Sequence, residues 1–326
     1  MVETPKRSAV VTGCTGQDGS LLVDQLTAKG IKVYGVIRRS SRGLDLGCSA
    51  DQEGNPLLEV VEADLLDSSS LLSLVKKARP DYFYNCAAQS HVQTSFEQPS
   101  YTFQVNALGV INCLEAIRQS GIFTRFLTCS TSEMYGGISD EPANEETPFH
   151  PRSPYGVAKL AGFWAVVQYR ESYKMFASNS ICFNHEQPGR RGPNFVTRKI
   201  TLAIAAIKAG QQDKLFLGNL SARRDWGLAE DYTEGMIRIM EAAHPDDYVL
   251  ATGETHSVRE FCEIAFEYAG LGDYKKYVEV DPLFFRPAEV HVLIGDYSKI
   301  KRELGWEPRT KFVELVHRMV DADLSK

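Results

Sequence analysis

The sequence predicts an α/β fold built on a doubly wound parallel sheet, followed by a smaller, discontinuous α/β cap. Three observations carry this reading. Short apolar runs alternate with helical patterns through the first half of the chain. The glycine-rich segment Thr12-Gly13-Cys14-Thr15-Gly16-Gln17-Asp18-Gly19 separates the first apolar run from the first helical pattern. From about Phe183 the pattern loosens into Gly/Pro/Arg-rich connections and shorter elements.

In order, Ser8 to Thr12 reads as a buried strand, Gln17 to Lys29 as a helix ended by Gly30, and Lys32 to Ile37 as a second strand. Leu58 to Val61, Tyr82 to Asn85 and Phe126 to Thr128 read as further strands, with helices over Ser68 to Ala78 and Tyr101 to Gln119 between them. Strict alternation implies a parallel sheet covered on both faces, the Rossmann-type arrangement. Residues 1–182 are therefore expected to form a cofactor-binding domain that carries the catalytic residues. Residues 183–326 are expected to form mainly a substrate-binding cap, with some segments returning to the first domain. There is no internal repeat, low-complexity tract or long linker.

With 326 residues, 43% hydrophobic and 24% charged, the chain can bury a large core. A net charge of -6 argues against broad nucleic-acid binding. The seven cysteines (Cys14, Cys48, Cys86, Cys113, Cys129, Cys182 and Cys262) are scattered without a Cys-x-x-Cys pair and read as reduced thiols of a cytoplasmic protein. No signal-peptide pattern and no run of about 18 apolar residues occurs, so neither secretion nor a membrane span is expected.

The chemistry is concentrated in two segments. Thr131-Ser132-Glu133-Met134-Tyr135 precedes Tyr155-Gly156-Val157-Ala158-Lys159, bringing a hydroxyl, a carboxylate, a phenol and an ammonium within plausible reach of one another. Residues four apart share a helix face, and a lysine cation beside a tyrosine favours the phenolate, a usable base. Tyr-x-x-x-Lys alone suggests carbonyl/alcohol redox chemistry, whereas the added Glu133 can remove a proton beside a newly formed carbonyl. Tyr297 and Lys301 repeat the spacing without the upstream cluster and read as surface helix.

Gly13, Gly16 and Gly19, with Thr15, Gln17 and Asp18, suit a pyrophosphate resting on the amides of a helix N-terminus. At the end of the second strand Arg38-Arg39-Ser40-Ser41 replaces the acidic residue expected for NAD, which favours NADP through contacts to a 2'-phosphate. Asp64 and Leu65 would flank the adenine. Cys86-Ala87-Ala88-Gln89-Ser90 would pass the ribose and nicotinamide, although a packed strand end explains those small residues equally well.

These segments resemble the GDP-mannose 4,6-dehydratase family of extended short-chain dehydrogenase/reductases. So do Phe183-Asn184-His185-Glu186, Asn194-Phe195-Val196-Thr197-Arg198-Lys199, Leu217-Gly218-Asn219, Arg223-Arg224-Asp225-Trp226-Gly227 and Phe285-Arg286-Pro287-Ala288-Glu289. The resemblance implies NADP-dependent conversion of GDP-D-mannose to GDP-4-dehydro-6-deoxy-D-mannose, with Thr131, Ser132, Glu133, Tyr155 and Lys159 as the catalytic set. It adds Tyr101, His185 and Arg191 to the cofactor residues. It assigns Ser90, Glu133, Asn184, Val196, Lys199, Leu217, Gly218, Arg224, Arg286 and Glu289 to the GDP-sugar. It calls for no metal, and it implies a homodimer or homotetramer in which Arg39 to Gly43 reaches a neighbouring cofactor.

Two departures from the family pattern stand out. Gln187 and an extra Gly189 interrupt its Asn-His-Glu-Ser-Pro-Arg-Arg-Gly run, and Leu228 replaces a histidine after Arg-Asp-Trp-Gly. Both are expected to reshape the sugar pocket, which keeps a related substrate such as a GDP-manno-heptose open. A 4-epimerase would not need Glu133, a 4-keto-sugar reductase would consume NADPH stoichiometrically, and a noncatalytic NADP-binding protein would typically lose Tyr155 or Lys159.

Overall fold

The computed structural model describes residues 7–39, 54–137, 141–285, 288 and 290–325. The chain runs β1 (Ser8–Thr12), α1 (Gln17–Ala28), β2 (Lys32–Ile37), β3 (Leu58–Glu62), α2 (Ser68–Ala78), β4 (Tyr82–Asn85), α3 (Val92–Glu97) and α4 (Pro99–Phe103). A π-helical turn (Gln104–Leu108) leads into α5 (Gly109–Ser120), β5 (Arg125–Thr131), a 3₁₀ turn (Ser132–Met134), α6 (Pro154–Tyr173), β6 (Ala177–Cys182) and β7 (Asn184–Glu186). There follow α7 (Val196–Lys208), β8 (Leu215–Leu217), β9 (Arg223–Arg224), β10 (Trp226–Leu228), α8 (Ala229–Glu241), β11 (Asp247–Leu250) and β12 (His256–Ser257). The last elements are α9 (Val258–Tyr268), β13 (Val278–Val280), α10 (Ser298–Leu304) and α11 (Phe312–Leu324).

The main sheet has seven strands in the order β11-β6-β5-β4-β1-β2-β3. The pairs β1–β2, β1–β4, β2–β3 and β4–β5 are parallel. Every residue of β4 and β6 is buried, as in a sheet covered on both faces, but only the apolar β4 reads as a continuous run in sequence; the polar β6, ASNSIC, gives no such pattern. The strand order reverses at β1, where β2 and β4 lie on opposite sides; this switch point is where an open parallel sheet forms its ligand crevice.

Two elements depart from the sequence expectation. The helix expected over Tyr101 to Gln119 is α4, a π turn and α5 in succession. Inside the π turn the Asn106 side chain exchanges hydrogen bonds with the backbone of Gln89, at 2.9 and 2.8 Å, and this tertiary anchor has no sequence periodicity. Strand β5 continues past Thr128 to Thr131 because its polar end is satisfied where it is buried: Ser130 Oγ donates to Asn179 Oδ1 at 3.0 Å.

The chain divides into two compact units, each made of separated stretches of chain. Unit 1 comprises residues 1–134, 153–181 and 233–248; unit 2 comprises 135–152, 182–232 and 249–326. Residues 233–248 join unit 1 through Arg125, whose guanidinium donates to the Met240 and Ala242 carbonyls, and through the Arg170–Asp247 pair at 2.6 Å. Residues 135–152 join unit 2 because Tyr135 is buried, stacks on Phe183 at 6.1 Å and donates to the Asn144 carbonyl at 2.7 Å. The Glu145 carboxylate also accepts the Val249 amide at 2.7 Å. Among the described residues no helix is long and apolar enough to cross a membrane.

Unit 1 packs β-sheet residues such as Val10, Phe83 and Phe126 against Leu71, Val75, Leu114 and Val166 of the covering helices. Unit 2 packs Trp226 against Phe261 and Phe312, with Ile200, Ile204, Leu315 and Met319 around them. Its loops converge on Asp225, fully buried, whose carboxylate accepts from the Thr252 amide and hydroxyl and from the Gly253 and Gly295 amides at 2.6–3.2 Å. Burial pushes this carboxyl up to about 6 against the pull of those donors. The folded state thus holds the proton more tightly than the unfolded chain. The resulting stability is fully present below pH 3.8 and is lost as pH rises through about 6. The difference is on the order of 3 kcal/mol. Urea unfolding of wild type and Asp225→Asn across this window should show the wild-type advantage shrinking with rising pH; a flat difference would mean that Asp225 titrates like an exposed carboxyl.

Candidate active site

The glycine-rich loop between β1 and α1 is a close-approach structure. Gly13 takes φ +67°, and a Cβ there would meet the Ala87 backbone at 3.0 Å. The Gly16 amide donates to the Gly13 carbonyl at 2.9 Å, and a Cβ on Gly19 would lie 2.1 Å from that same oxygen. Gly16 is the N-cap of α1 and offers no side chain to its first-turn amides, while Thr15 and Gly16 are exposed. Gln17 donates to Asp18 at 3.0 Å within that first turn. Close backbone approach, an uncapped helix start and exposure together make a cradle for a diphosphate.

Beneath the loop runs a buried polar chain that the motifs did not signal. Thr12 Oγ1 donates to Asn85 Oδ1 at 2.7 Å, Asn85 Nδ2 donates to Thr128 Oγ1 at 3.1 Å, and the Ala87 amide donates back to Thr12 Oγ1 at 3.2 Å. It ties the ends of β1, β4 and β5 at the switch point. An asparagine ending the otherwise apolar β4 was the one available clue.

The remaining expected cofactor residues have distinct environments. Arg38 and Arg39 are exposed at the end of β2, and Arg38 Nη1 donates to the Tyr101 hydroxyl at 2.7 Å, so two residues assigned to the cofactor meet directly. Ser40 lies outside the described residues. Asp64 accepts the Leu66 amide at 2.9 Å. Leu65 is buried and its carbonyl accepts from Asn112 at 2.7 Å, so its side chain belongs to the core. Cys86, Ala87, Ala88 and Gln89 are half-buried and Ser90 is exposed. Gln89 is fixed by Thr102, His91 and Asn106.

Thr131, Ser132 and Glu133 are buried at the end of β5 and in the turn that follows, where Thr131 Oγ1 accepts the Glu133 amide at 3.3 Å. Helix α6 packs against both β5 and this turn. Ser153 caps it by accepting the Gly156 amide at 3.0 Å, and Pro154 supplies a preset φ at its start. Tyr155 and Lys159 are buried one turn apart, with Lys159 Nζ 5.9 Å from the Tyr155 ring centroid and 2.7 Å from the Cys129 carbonyl that accepts its proton. All five expected catalytic residues therefore lie in unit 1, on β5, the 3₁₀ turn and α6. The repeated spacing behaves differently: Lys301 is exposed and pairs with Glu307 at 2.5 Å, while Tyr297 packs edge-on to Trp306.

Of the described residues expected at a GDP-sugar, all but Ser90 and Glu133 lie in unit 2. Asn184 is half-buried in β7. His185 stacks on Tyr232 at 4.6 Å, its Nδ1 2.7 Å from the Phe183 carbonyl. Val196 opens α7. Lys199 donates to the Phe216 carbonyl at 2.7 Å and lies 3.7 Å over the Phe284 ring, and its partial burial holds its ammonium below the ordinary lysine range. Leu217 is buried, and a Cβ on Gly218 would meet the Phe284 carbonyl at 2.5 Å. Arg224 is buried, with Nη1 donating to the Arg223 and Val290 carbonyls at 2.8 Å. Arg191 pairs with Glu186 at 2.9 Å and stacks on Phe195 at 3.6 Å. Arg286 and Glu289 lie outside the described residues.

Both departures from the family pattern have a structural account. Gly189 takes φ +72°, a left-handed turn at which the Gln187 carbonyl accepts the Arg190 and Arg191 amides, each at 3.1 Å. Leu228 is buried in the unit 2 core cluster that also holds Trp226 and Phe312.

A switch-point glycine cradle beside a buried Tyr-x-x-x-Lys helix defines a short-chain dehydrogenase/reductase. Within that class the chain belongs to the GDP-mannose 4,6-dehydratase family, whose sequence profile, described as "GDP-mannose 4,6 dehydratase", matches residues 10–319. It is 50% identical to GDP-mannose 4,6 dehydratase 2 of Arabidopsis thaliana, over 99% of this chain and 88% of the relative. It is 45% identical to the Homo sapiens GDP-mannose 4,6 dehydratase, over 98% of this chain and 92% of the relative. Among solved structures, the UDP-glucose 4-epimerase of Thermus thermophilus in complex with NAD superposes with a TM-score of 0.83 at 27% identity, covering 97% of this chain and 98% of the other.

Gly19→Ala should force α1 away from the Gly13 carbonyl. We expect dinucleotide affinity, followed by cofactor fluorescence titration, to fall at least about tenfold, and stability to fall by about 1–3 kcal/mol. Unchanged affinity would show that the cradle does not hold the phosphates.

Proposed function

We propose that this chain dehydrates GDP-mannose to GDP-4-dehydro-6-deoxy-mannose, using NADP as an internally recycled hydride carrier. The observation that carries the reading is the burial of Glu133 one turn beyond the β5 end, in the turn against which the Tyr155/Lys159 helix packs. The glycine cradle fits a diphosphate and the exposed Arg38 and Arg39 fit a 2'-phosphate, so these residues would hold NADP. Bound there, the cofactor supplies a hydride acceptor for C4 and a hydride donor for C6.

The protein's part is proton handling and orientation. Tyr155 takes the 4-hydroxyl proton, with Lys159 favouring the phenolate and Thr131 as a hydrogen-bonding partner for the reacting oxygen. Oxidation at C4 acidifies the C5 hydrogen, which the Glu133 carboxylate removes; that proton passes to the departing 6-hydroxyl, which leaves as water with Ser132 assisting, and once hydride has returned to C6 a proton returns to C5. Asn184, Lys199 and Arg224 of unit 2, with Arg286 and Glu289, are the groups for the GDP moiety, and the cation count suits two phosphates.

With substoichiometric NADP+, wild type should convert many equivalents of GDP-mannose to a product lighter by one water, read by mass spectrometry. Glu133→Gln should still oxidise C4, hold reduced nicotinamide absorbance and lose turnover roughly 10²–10⁴-fold, whereas Tyr155→Phe should produce no reduced nicotinamide. An unaltered sugar mass with wild type would overturn the substrate assignment; a fully active Glu133→Gln would overturn the elimination step.

The chain also pairs with itself on this reading. Phe103, Leu108, Val157 and Trp164 are large apolar residues, each 45–55% exposed, on or between α4 and α6. In the resembled family helices of the first domain pair, which supports this exposed apolar face as the contact. Wild type should run as a dimer or larger in light scattering, and Trp164→Glu should shift it toward monomer.

A further inference from the structure

Cys129 lies in β5 and Cys86 directly follows β4, each one residue beyond the parallel pair Asn85 and Thr128. In that register the side chains leave the sheet on the same face, and their Sγ atoms stand 3.6 Å apart. The buried Met236 thioether lies 3.9 Å from Cys129 Sγ. Cys14, Cys113, Cys182 and Cys262 are buried, whereas Cys86 and Cys129 are half-buried. Proximity and access thus coincide in this pair. Neighbouring strands run about 4.8 Å apart, inside the roughly 4.4–6.8 Å Cα separation that a disulfide spans. Bridging therefore needs sulfur closure to about 2.05 Å by side-chain rotation and a small strand-end shift, not a rebuilt sheet.

We propose that Cys86 and Cys129 form a reversible dithiol–disulfide switch, oxidised by hydrogen peroxide, that shuts down turnover. One thiolate attacks the peroxide O–O bond, giving a sulfenic acid and releasing water after protonation. The second thiol attacks the sulfenic sulfur and expels a second water as the S–S bond forms. Two electrons pass from the sulfurs to the peroxide, and a dithiol reductant returns them.

The consequence follows from what the two residues hold. The Cys129 carbonyl accepts the Lys159 ammonium at 2.7 Å, and Cys86 opens the segment whose Ala87 backbone abuts Gly13. Drawing the sulfurs together displaces both the catalytic lysine's acceptor and the wall of the cofactor cradle. A misplacement on the order of 1 Å lowers turnover roughly 10²-fold.

The activity part of this inference rests on the proposed dehydratase function; the chemical part does not. The full-length protein is exposed to hydrogen peroxide, alkylated, and examined by intact mass and by non-reducing peptide mapping, with dehydration rates taken before, after, and following dithiothreitol. The expected result is loss of two hydrogens, a Cys86–Cys129 cross-linked peptide, and a roughly 10²-fold fall in rate, all reversed by the reductant. Cys129→Ser should lose the cross-link and keep its own starting rate through the same exposure. Absence of the cross-linked peptide, a cross-link that leaves the rate unaltered, or equal inactivation of Cys129→Ser would overturn the switch. A protein inactive before oxidation but cross-linked after it would instead count against the dehydratase reading.

Discussion

The hydrogen bond from the Lys159 ammonium to the Cys129 carbonyl, at 2.7 Å, is the constraint on which the placement of the expected catalytic residues depends. It joins the first turns of α6 to β5, and both Thr131 and the Glu133 turn are continuous with that strand. A buried ammonium is costly unless it is hydrogen-bonded, so α6 is held at the one height where Lys159 meets this acceptor. Tyr155, one turn earlier on the same face, is placed by the same contact. The backbone carbonyl is a fixed acceptor whose position the sheet ladder sets, and β5 is in turn registered to β4 from Tyr82–Arg125 to Asn85–Thr128. The reactive groups thus inherit the precision of the sheet rather than that of a loop.

That arrangement explains why so much of unit 1 was legible. β1, β2, β4 and α2 occupy the ranges that their patterns indicated, because buried parallel strands must be apolar throughout and α2 is bounded by an Asp67 cap and a left-handed Arg79. The illegible parts are those in which a polar side chain, not a hydrophobic period, sets the conformation. Asn106 fixes the π turn by bonding to Gln89, and Ser130 extends β5 by bonding to Asn179. Such pairs lie far apart in sequence, and neither partner carries a local signal.

The site was legible in its motifs and not in its supports. Tyr155, Lys159, Glu133 and the three glycines follow from spacing and from the demands of their chemistry. The Thr12–Asn85–Thr128 chain that holds the strand ends together follows only from the fold, as do the Arg38–Tyr101 contact and the contact between Gly13 and Ala87. Leu228 is likewise placed only by the fold: its membership of the unit 2 core is not signalled by its position after a motif.

Unit 2 meets a different problem, because it is assembled from three separated stretches of chain, and the small sheets among its described residues are two-stranded. Buried carboxylates do the ordering. Asp225 gathers the backbone at 252, 253 and 295; Asp231 accepts the Arg309 and Thr310 amides at 3.0 and 3.1 Å; Asp323 pairs with Arg198 at 2.6 Å and accepts from Thr201 at 2.7 Å. Each binds groups far away in sequence and is buried enough that losing a partner would strand an unsatisfied polar group, so each enforces one arrangement of the connections. Lys199 and Arg224 lie on elements ordered in this way, α7 by Asp323 and β9 by its neighbour Asp225. The loops between these elements can then vary in sequence, as the Gly189 turn does, without loosening the elements that carry Lys199 and Arg224.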